Sequence, residues 1–326
     1  MDRNTTNLLK FGCCLLIFFH HFYILEDFVC TWGRTACSVF FFLSAYGVSK
    51  SQQKNNYHFI TFFKKRLSRI FIPYLITIFL AILFSFFLAG SFSIPIYQLV
   101  GHEICFVEGF SILDFFIYLF GVKKIDGAMW FIDVIIISYA FIWLILRLKI
   151  KWLRLSIVLT VPVILLVLDR LLSINICKWP TDVIGIVIGI VFFEYETSIT
   201  ATIKRNYRVC LSSSIVLWFF FVGLYMFLQN TESVKWRYME LTILLFSIFS
   251  ICVACCLSLK KVKYTKICSL MGGGSFFIYL LHIKVINVLA YYDVVPLLLS
   301  SLICVMVLSY LFYLLDKQIQ ILLWKQ

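Results

Sequence analysis

Charge is what this sequence has least of. Aspartate, glutamate, lysine and arginine make up 14% of its 326 residues, against 62% hydrophobic and 18% aromatic. That balance lies outside the range of a soluble globular chain and leaves a polytopic membrane protein. No soluble segment remains to host nucleic acid, and the net charge of +13 is laid out as short basic clusters between apolar runs, the pattern of membrane topology. Other absences narrow the reading. No small-residue cleavage site follows the first apolar run, where Glu26 and Asp27 stand instead, so it reads as a permanent helix and not a secretory signal. Cys252 and Cys255 form a C-x-x-C with no second pair and no neighbouring histidine, which argues against a metal site. Gly272-Gly273-Gly274 runs into Ser275-Phe276 where a phosphate-cradling loop needs Lys-Ser/Thr, and reads as a flexible turn. No internal repeat and no low-complexity linker interrupts the chain, so residues 1–326 read as a single membrane domain with no soluble appendage.

What is there is a series of apolar runs near bilayer length. Ten are bounded by polar clusters, at 7–25, 34–50, 70–90, 129–147, 155–172, 181–197, 209–228, 238–259, 274–293 and 295–315, giving an all-α fold of about ten transmembrane helices. Lysine and arginine gather in alternate connections, around 50–69, 147–154, 204–208 and 260–266, which places those connections and both termini in the cytoplasm of a cell bounded by a plasma membrane. Ser111 to Phe120, in the uncertain stretch 91–128, is apolar but too short to span and reads as an interfacial or re-entrant segment on the outer face. Most of the twelve cysteines fall inside spans as small apolar fillers. Cys30, Cys105 and Cys177 fall outside them, where disulfide pairing is open.

The chemistry-bearing residues concentrate near the start of the chain. The first span carries Lys10 at its beginning and His20 and His21 well inside, and a titratable group at bilayer depth either pairs or works. Eleven residues from Lys10 to His21 put both on nearly one helix face, about 16 Å apart. His20 lies about 100° around the helix, so His21 is the favoured catalytic imidazole and His20 its packing neighbour. Before the third span, Lys64-Lys65-Arg66-Leu67-Ser68-Arg69 presents Arg66 and Arg69 on one face, spaced to hold a phosphate by bidentate hydrogen bonds; lipid headgroups would use the same residues. A phosphate site on the inner side beside a membrane-embedded base suits coenzyme A, whose phosphates and thioester lie at opposite ends of a long thin arm. Asp133 is a candidate partner for a buried cation, and Lys284 for an acid such as Asp133 or Glu194. His282 is either structural or functional. Ser44 and Tyr279 are candidate donors to an acyl carbonyl, although hydroxyls in helices more often bond their own backbone.

Lys10 with ten residues and then His21 resembles the basic-x10-His motif of the membrane acyltransferase family 3, and Arg66-x-x-Arg69 resembles that family's Arg-x-x-Arg motif. Arg34-Thr-Ala-Cys-Ser-Val-Phe-Phe-Phe-Leu-Ser44-Ala-Tyr46 is similar to its second-helix pattern. Met129-Trp130-Phe131 and Ser275-Phe-Phe-Ile-Tyr279-Leu-Leu-His282 are similar to two further signatures. Lys10 stands where arginine is commoner and Ala45 where glycine is usual. The resemblance implies an integral membrane enzyme, an O-acyltransferase that moves an acyl group, most often acetyl, from cytosolic acyl-CoA (acetyl-CoA) to a hydroxyl of an extracytoplasmic or lipid-linked glycan. In that reading His21 is the base or a transient acyl carrier. Arg66, Arg69 and Lys65 hold the donor's phosphates, Lys10 sits at the donor entrance, and Arg34 orients the acceptor or steadies an oxyanion. No metal is called for. The rival class is a glycan or lipid transporter or flippase, which would show paired interrupted helices in two related halves; no such duplication is seen.

Overall fold

The computed structural model of the chain describes residues 3–23, 32–89, 93–172, 178–229, 235–259 and 266–324. Thirteen α-helices, a two-stranded ribbon and one 3-10 turn make up the fold among the described residues. The helices are α1 (Arg3–Phe22), α2 (Trp32–Asn55), α3 (Phe59–Ala89), α4 (Ile112–Leu119), α5 (Trp130–Arg147), α6 (Lys151–Leu172) and α7 (Lys178–Glu194). They continue with α8 (Glu196–Arg205), α9 (Tyr207–Gln229), α10 (Lys235–Leu259), α11 (Lys266–Gly273), α12 (Ser275–Tyr291) and α13 (Leu297–Trp324). Strands β1 (Ile94–Tyr97) and β2 (Ile104–Val107) pair antiparallel, Ile94 opposite Val107.

Helices lie over all ten apolar segments, as expected of an all-α membrane protein. Five, at Phe59–Leu88, Gly127–Arg147, Tyr207–Leu228, Leu241–Leu259 and Leu297–Leu323, are long and apolar enough to cross a bilayer by themselves, and the bent pair α7–α8 makes a sixth when taken as one span. α2 buries Thr35, Ser38, Ser49 and Gln52 and α12 buries Ser275, His282, Lys284 and Asn287, and α12 has only 17 residues.

Several details depart from the sequence reading. The segment 181–197 is not one helix: the chain turns by 89° at Tyr195, from α7 into α8. The basic stretch 64–69 does not precede the third helix but lies inside it. Gly272 and Gly273 are not a flexible turn but end α11, where a side chain on Gly272 would collide with the backbone carbonyl of Asn7 on α1. The stretch 91–128 contains a small β-ribbon, too short to signal itself by alternation. Its apolar piece forms α4, fixed at its start by a capping box between Ser111 and Asp114. Those hydrogen bonds from Ser111 hold the Asp114 carboxyl below its usual range. α4 buries no residue and leaves Ile112, Leu113 and Phe116 exposed, as a helix lying along an apolar boundary would. Cys105 is exposed and unpaired on β2, whereas Cys30 and Cys177 lie outside the described residues.

At the centre α2 packs along α7, and two glycines one turn apart make that possible. A side chain on Gly185 would collide with the carbonyl of Ser38, and one on Gly189 would stand 2.7 Å from the carbonyl of Phe42. Small residues four apart let two helix backbones approach where lipid supplies no hydrophobic drive to hold them together. Gly185→Val is expected to cost about 1–3 kcal/mol by overpacking, read as a lowered unfolding temperature in detergent. Gly223→Val on α9, where an added Cβ meets nothing within 4 Å, is expected to leave that temperature unchanged.

Candidate active site

Three helices form a seam through the bundle. α1 contributes Lys10, Cys14, Ile17 and His21, spaced three or four residues apart and therefore stacked on one face. α2 contributes Tyr46, Leu43, Phe40 and Cys37, and α12 contributes Phe276, Tyr279 and His282. The Cys14 thiol donates to the carbonyl of Ser275 at 2.9 Å, fastening α1 to the first turn of α12.

One end of the seam opens into a cavity of about 1340 Å³. All four cations assigned to the donor from sequence line it: Lys10 from α1 and Lys65, Arg66 and Arg69 from α3. Lys50 of α2 and Lys317 of α13 join them, opposed by two acids, Glu196 and Asp316. Glu196 is engaged, accepting from the Tyr46 hydroxyl at 2.5 Å and pairing with Lys50 at 2.5 Å. The Lys65 ammonium rests on the Tyr57 ring, 4.2 Å from its centroid. Among the described residues neither Arg66 nor Arg69 makes an ion pair; the Arg66 guanidinium lies over the Phe62 ring at 5.9 Å. Two guanidiniums one turn apart on a cavity wall can take a phosphate by charge-assisted, bidentate hydrogen bonds.

Phe276 lines this cavity and also a small apolar void of about 20 Å³ farther along the seam, shared with Ile17, Cys37, Phe40, Phe131 and Tyr279. A space of that size holds about one water-sized group. Beyond it stand the histidines. The rings of His21 and His282 lie 5.1 Å apart between centroids, and the His20 ring lies 4.7 Å from His21 on the other side. His20 fits against Gly33 of α2, where any side chain would collide with the imidazole, so of the adjacent pair it is His21 that meets α12. Arg34 follows Gly33 in the first turn of α2, partly buried at this end.

A closed set of bonds surrounds His282. Its Nδ1 lies 2.6 Å from the carbonyl oxygen of Tyr279. The Tyr279 hydroxyl donates to the carbonyl of Ala128, the amide of Ala128 donates to Asp126 Oδ1 at 3.0 Å, and Lys284 donates to Asp126 Oδ2 and, at 2.8 Å, to the carbonyl of Leu280. Asp126 and Lys284 are 3% and 7% exposed in their side chains. Over this end lies the ribbon, pinned by Asn287, which donates to the carbonyls of Gln98 at 2.9 Å and Glu103 at 2.7 Å. In its turn His102 packs against Phe22, 5.8 Å between ring centroids, and burial holds its imidazole below the ordinary range.

Some sequence assignments are corrected here. Lys284 pairs with neither Asp133 nor Glu194 but with Asp126: Lys124 takes Asp133 at 2.8 Å, and Arg154 takes Glu194 at 2.7 Å. Asp133 is half-exposed and is not the partner of a buried cation. Tyr279 spends its hydroxyl on Ala128, so it is a tie between segments and not a donor to an acyl carbonyl. Ser44 is partly buried and does not line the cavity, although Leu43, Tyr46 and Gly47 beside it do. Trp130 packs against Phe41 and Phe131 at 6.5 and 6.2 Å, part of the wall. Sequence reasoning passed over Asp126 and Glu196. The sign that marks Asp126 is local: an aspartate directly before Gly-Ala-Met caps a turn. Among the described residues no three His, Cys, Asp or Glu gather to hold a metal.

A helical membrane bundle with a basic cavity and a pair of neighbouring imidazoles set on the same helices, α1 and α12, has the build of a membrane-embedded enzyme. The chain belongs to the acyltransferase family 3: the family model described as an acyltransferase domain matches residues 4–315, nearly its whole length. It is therefore a membrane acyltransferase. No curated protein and no solved structure matches it.

Removing one member of a buried ion pair strands the other charge and costs about 3–5 kcal/mol, whereas replacing both with neutral groups costs far less. Lys284→Met alone and Asp126→Asn alone are each expected to destabilise by about that much, and the double variant to recover most of it. Thermal unfolding of the four proteins in detergent checks the cycle.

Proposed function

We propose that the protein is an acyl-CoA-dependent O-acyltransferase that acylates, most often acetylates, a hydroxyl of a cell-surface or lipid-linked glycan. The observation that carries the reading is the meeting of Lys10, Lys65, Arg66 and Arg69, from two separate helices, on one cavity, with His21 on the same face of α1 as Lys10. Acyl-CoA is a long arm with phosphates at one end and a thioester at the other, which suits a basic cavity separated from a small apolar void by Phe276, which lines both. Arg66 and Arg69 hold the phosphates, Lys10 and Lys65 add charge at the entrance, and the thioester reaches toward His21.

His21 takes the proton of the acceptor hydroxyl as its oxygen attacks the thioester carbonyl. The tetrahedral intermediate collapses with breaking of the C–S bond, the ester stays on the glycan, and the coenzyme A thiolate recovers the proton. Arg34 steadies the oxyanion from the first turn of α2. Transfer through an acyl-His21 intermediate uses the same groups in two steps. With basic loops inside, the reading places ten spans in the plasma membrane, both termini and the basic cavity on the cytoplasmic side, and the acceptor on the ribbon side.

Two measurements test it. Purified protein supplied with labelled acetyl-CoA is expected to transfer label to a glycan acceptor, and His21→Ala to abolish transfer; equal labelling by both removes His21 from the mechanism. Arg66→Gln and Arg69→Gln are each expected to weaken coenzyme A binding about 10- to 100-fold, the worth of one hydrogen bond to a charged group. Unchanged affinity would leave these arginines as lipid anchors.

A further inference from the structure

The void of about 20 Å³ is walled by Ile17, Cys37, Phe40, Phe131, Phe276 and Tyr279. Four of these are aromatic, and their rings touch in an unbroken series. Phe40 meets Phe131 at 6.1 Å between centroids, Phe131 meets Tyr279 at 5.3 Å, and Tyr279 stacks on Phe276 at 6.1 Å. The series joins α2, α5 and α12, so the space cannot be widened without moving rings that hold three helices together. The Tyr279 hydroxyl is spent on the carbonyl of Ala128, which leaves the wall's side chains presenting carbon and sulfur. A space lined this way stays dry, and its size suits a single methyl group.

Its place along the helices is as particular as its lining. On α1, Lys10 lines the cavity and Ile17 the void, and His21 follows one turn beyond Ile17. On α12, Phe276 lines both spaces and Tyr279 the void, and the His282 ring lies 6.0 Å from that of Tyr279. Both helices therefore put the void after the cavity and before an imidazole. One helical turn is about 5.4 Å. A methyl, its carbonyl carbon and an attacking oxygen hydrogen-bonded to a base span a distance of that order.

We propose that the void is the pocket for the methyl group of the donor's acyl chain, and that Phe40, Phe131 and Phe276 are the residues that limit the chain to acetyl. The proposal rests on the acyltransfer reading above and adds to it the part of the protein that measures acyl length. A donor whose phosphates are held in the cavity passes its thioester along the Phe276 ring, which stands between the two spaces, and seats its methyl among the six side chains. A propionyl or butyryl chain meets Phe40 and Phe131 instead of open space.

The test uses the full-length protein in detergent with acetyl-, propionyl- and butyryl-CoA as donors and a panel of methyl glycosides as acceptor, following coenzyme A release and ester formation. Each added methylene is expected to lower the wild-type kcat/KM about 10-fold or more, the usual worth of a methylene in an apolar pocket. Phe40→Ala opens the wall and is expected to raise kcat/KM for butyryl relative to acetyl by about 10-fold or more. Phe131→Leu, a milder change, is expected to do the same for propionyl and keeps the proposal testable should the alanine variant not fold. Cys37→Val fills the void and is expected to cut acetyl transfer about 10-fold, with the affinity for free coenzyme A, which has no acyl group, retained. An active wild type that uses the three donors equally overturns the proposal and leaves the acyltransfer reading standing. So does an unmoved donor ratio in the folded Phe40→Ala or Phe131→Leu variant, or undiminished acetyl transfer in folded Cys37→Val, the behaviour of a mere packing gap. If wild type transfers no acyl group from any of the three, both readings fall together.

Discussion

A bilayer interior offers no partner to an imidazole, an ammonium or a carboxylate, so every such group at depth must be enclosed by protein and bonded within it. The arrangement of this bundle follows from that requirement. α1 carries two histidines and α12 a histidine and a lysine, and neither helix is presented to lipid on those faces: α1 lies between α2 and α12, and α12 between α1, α3 and α13. Lys284 could not be kept at 7% side-chain exposure without Asp126, and Asp126 reaches it only because the segment before α5 turns back into the bundle. The ring of bonds from Lys284 through Asp126, Ala128 and Tyr279 therefore does two things at once: it satisfies a buried charge, and it fixes the helix that carries His282.

The basic cavity is organised by the opposite principle. Its cations are gathered from α1, α2, α3 and α13 and only partly neutralised. Glu196 answers Lys50, and it can do so because the chain bends at Tyr195 and brings the start of α8 to the cavity. Among the described residues neither Arg66 nor Arg69 forms an ion pair, and Arg66 packs on Phe62. A wall of like charges costs folding energy through self-repulsion, and a bound polyanion offsets that cost. The order along the seam is thus from partly neutralised cations, through aromatic and aliphatic side chains, to the imidazoles.

The sequence carried a large part of this and missed a definable remainder. Helix positions were legible because each is a long apolar run, and the pairing of Lys10 with His21 on one face followed from helical spacing alone. So did the neighbourhood of Arg66 and Arg69, even though their helix starts earlier than apolarity suggested, since the basic stretch Lys64 to Arg69 interrupts the hydropathy signal of a helix that begins at Phe59. What spacing does not encode is which distant residue closes a contact. Asp126 and Lys284 are 158 positions apart, and nothing in either segment selects the other over Asp133, which hydropathy alone made equally available. The break at Tyr195 was hidden for a related reason: neither Gly nor Pro marks it, and the partners on either side of it, Arg154 for Glu194 and Lys50 for Glu196, are distant in sequence.

The same contrast separates the two histidines that stand side by side in the chain. Local sequence gives them identical chemistry and separates them only by helix face, and the glycine on the neighbouring helix shows which neighbour each face meets. Gly33 leaves a hollow that His20 fills, and a side chain there would drive the ring out. With His20 seated against α2, the 100° step of the helix turns His21 toward α12, where it meets the ring of His282. One missing Cβ on α2 thus decides which imidazole faces packing and which faces another base. At the other end of α1, Gly272 of α11 lets the backbone of Asn7 approach closely. A side chain seated on Gly33 and a close backbone contact at Gly272, one near each end of α1, hold the helix on which both the cation end and the histidine end are built.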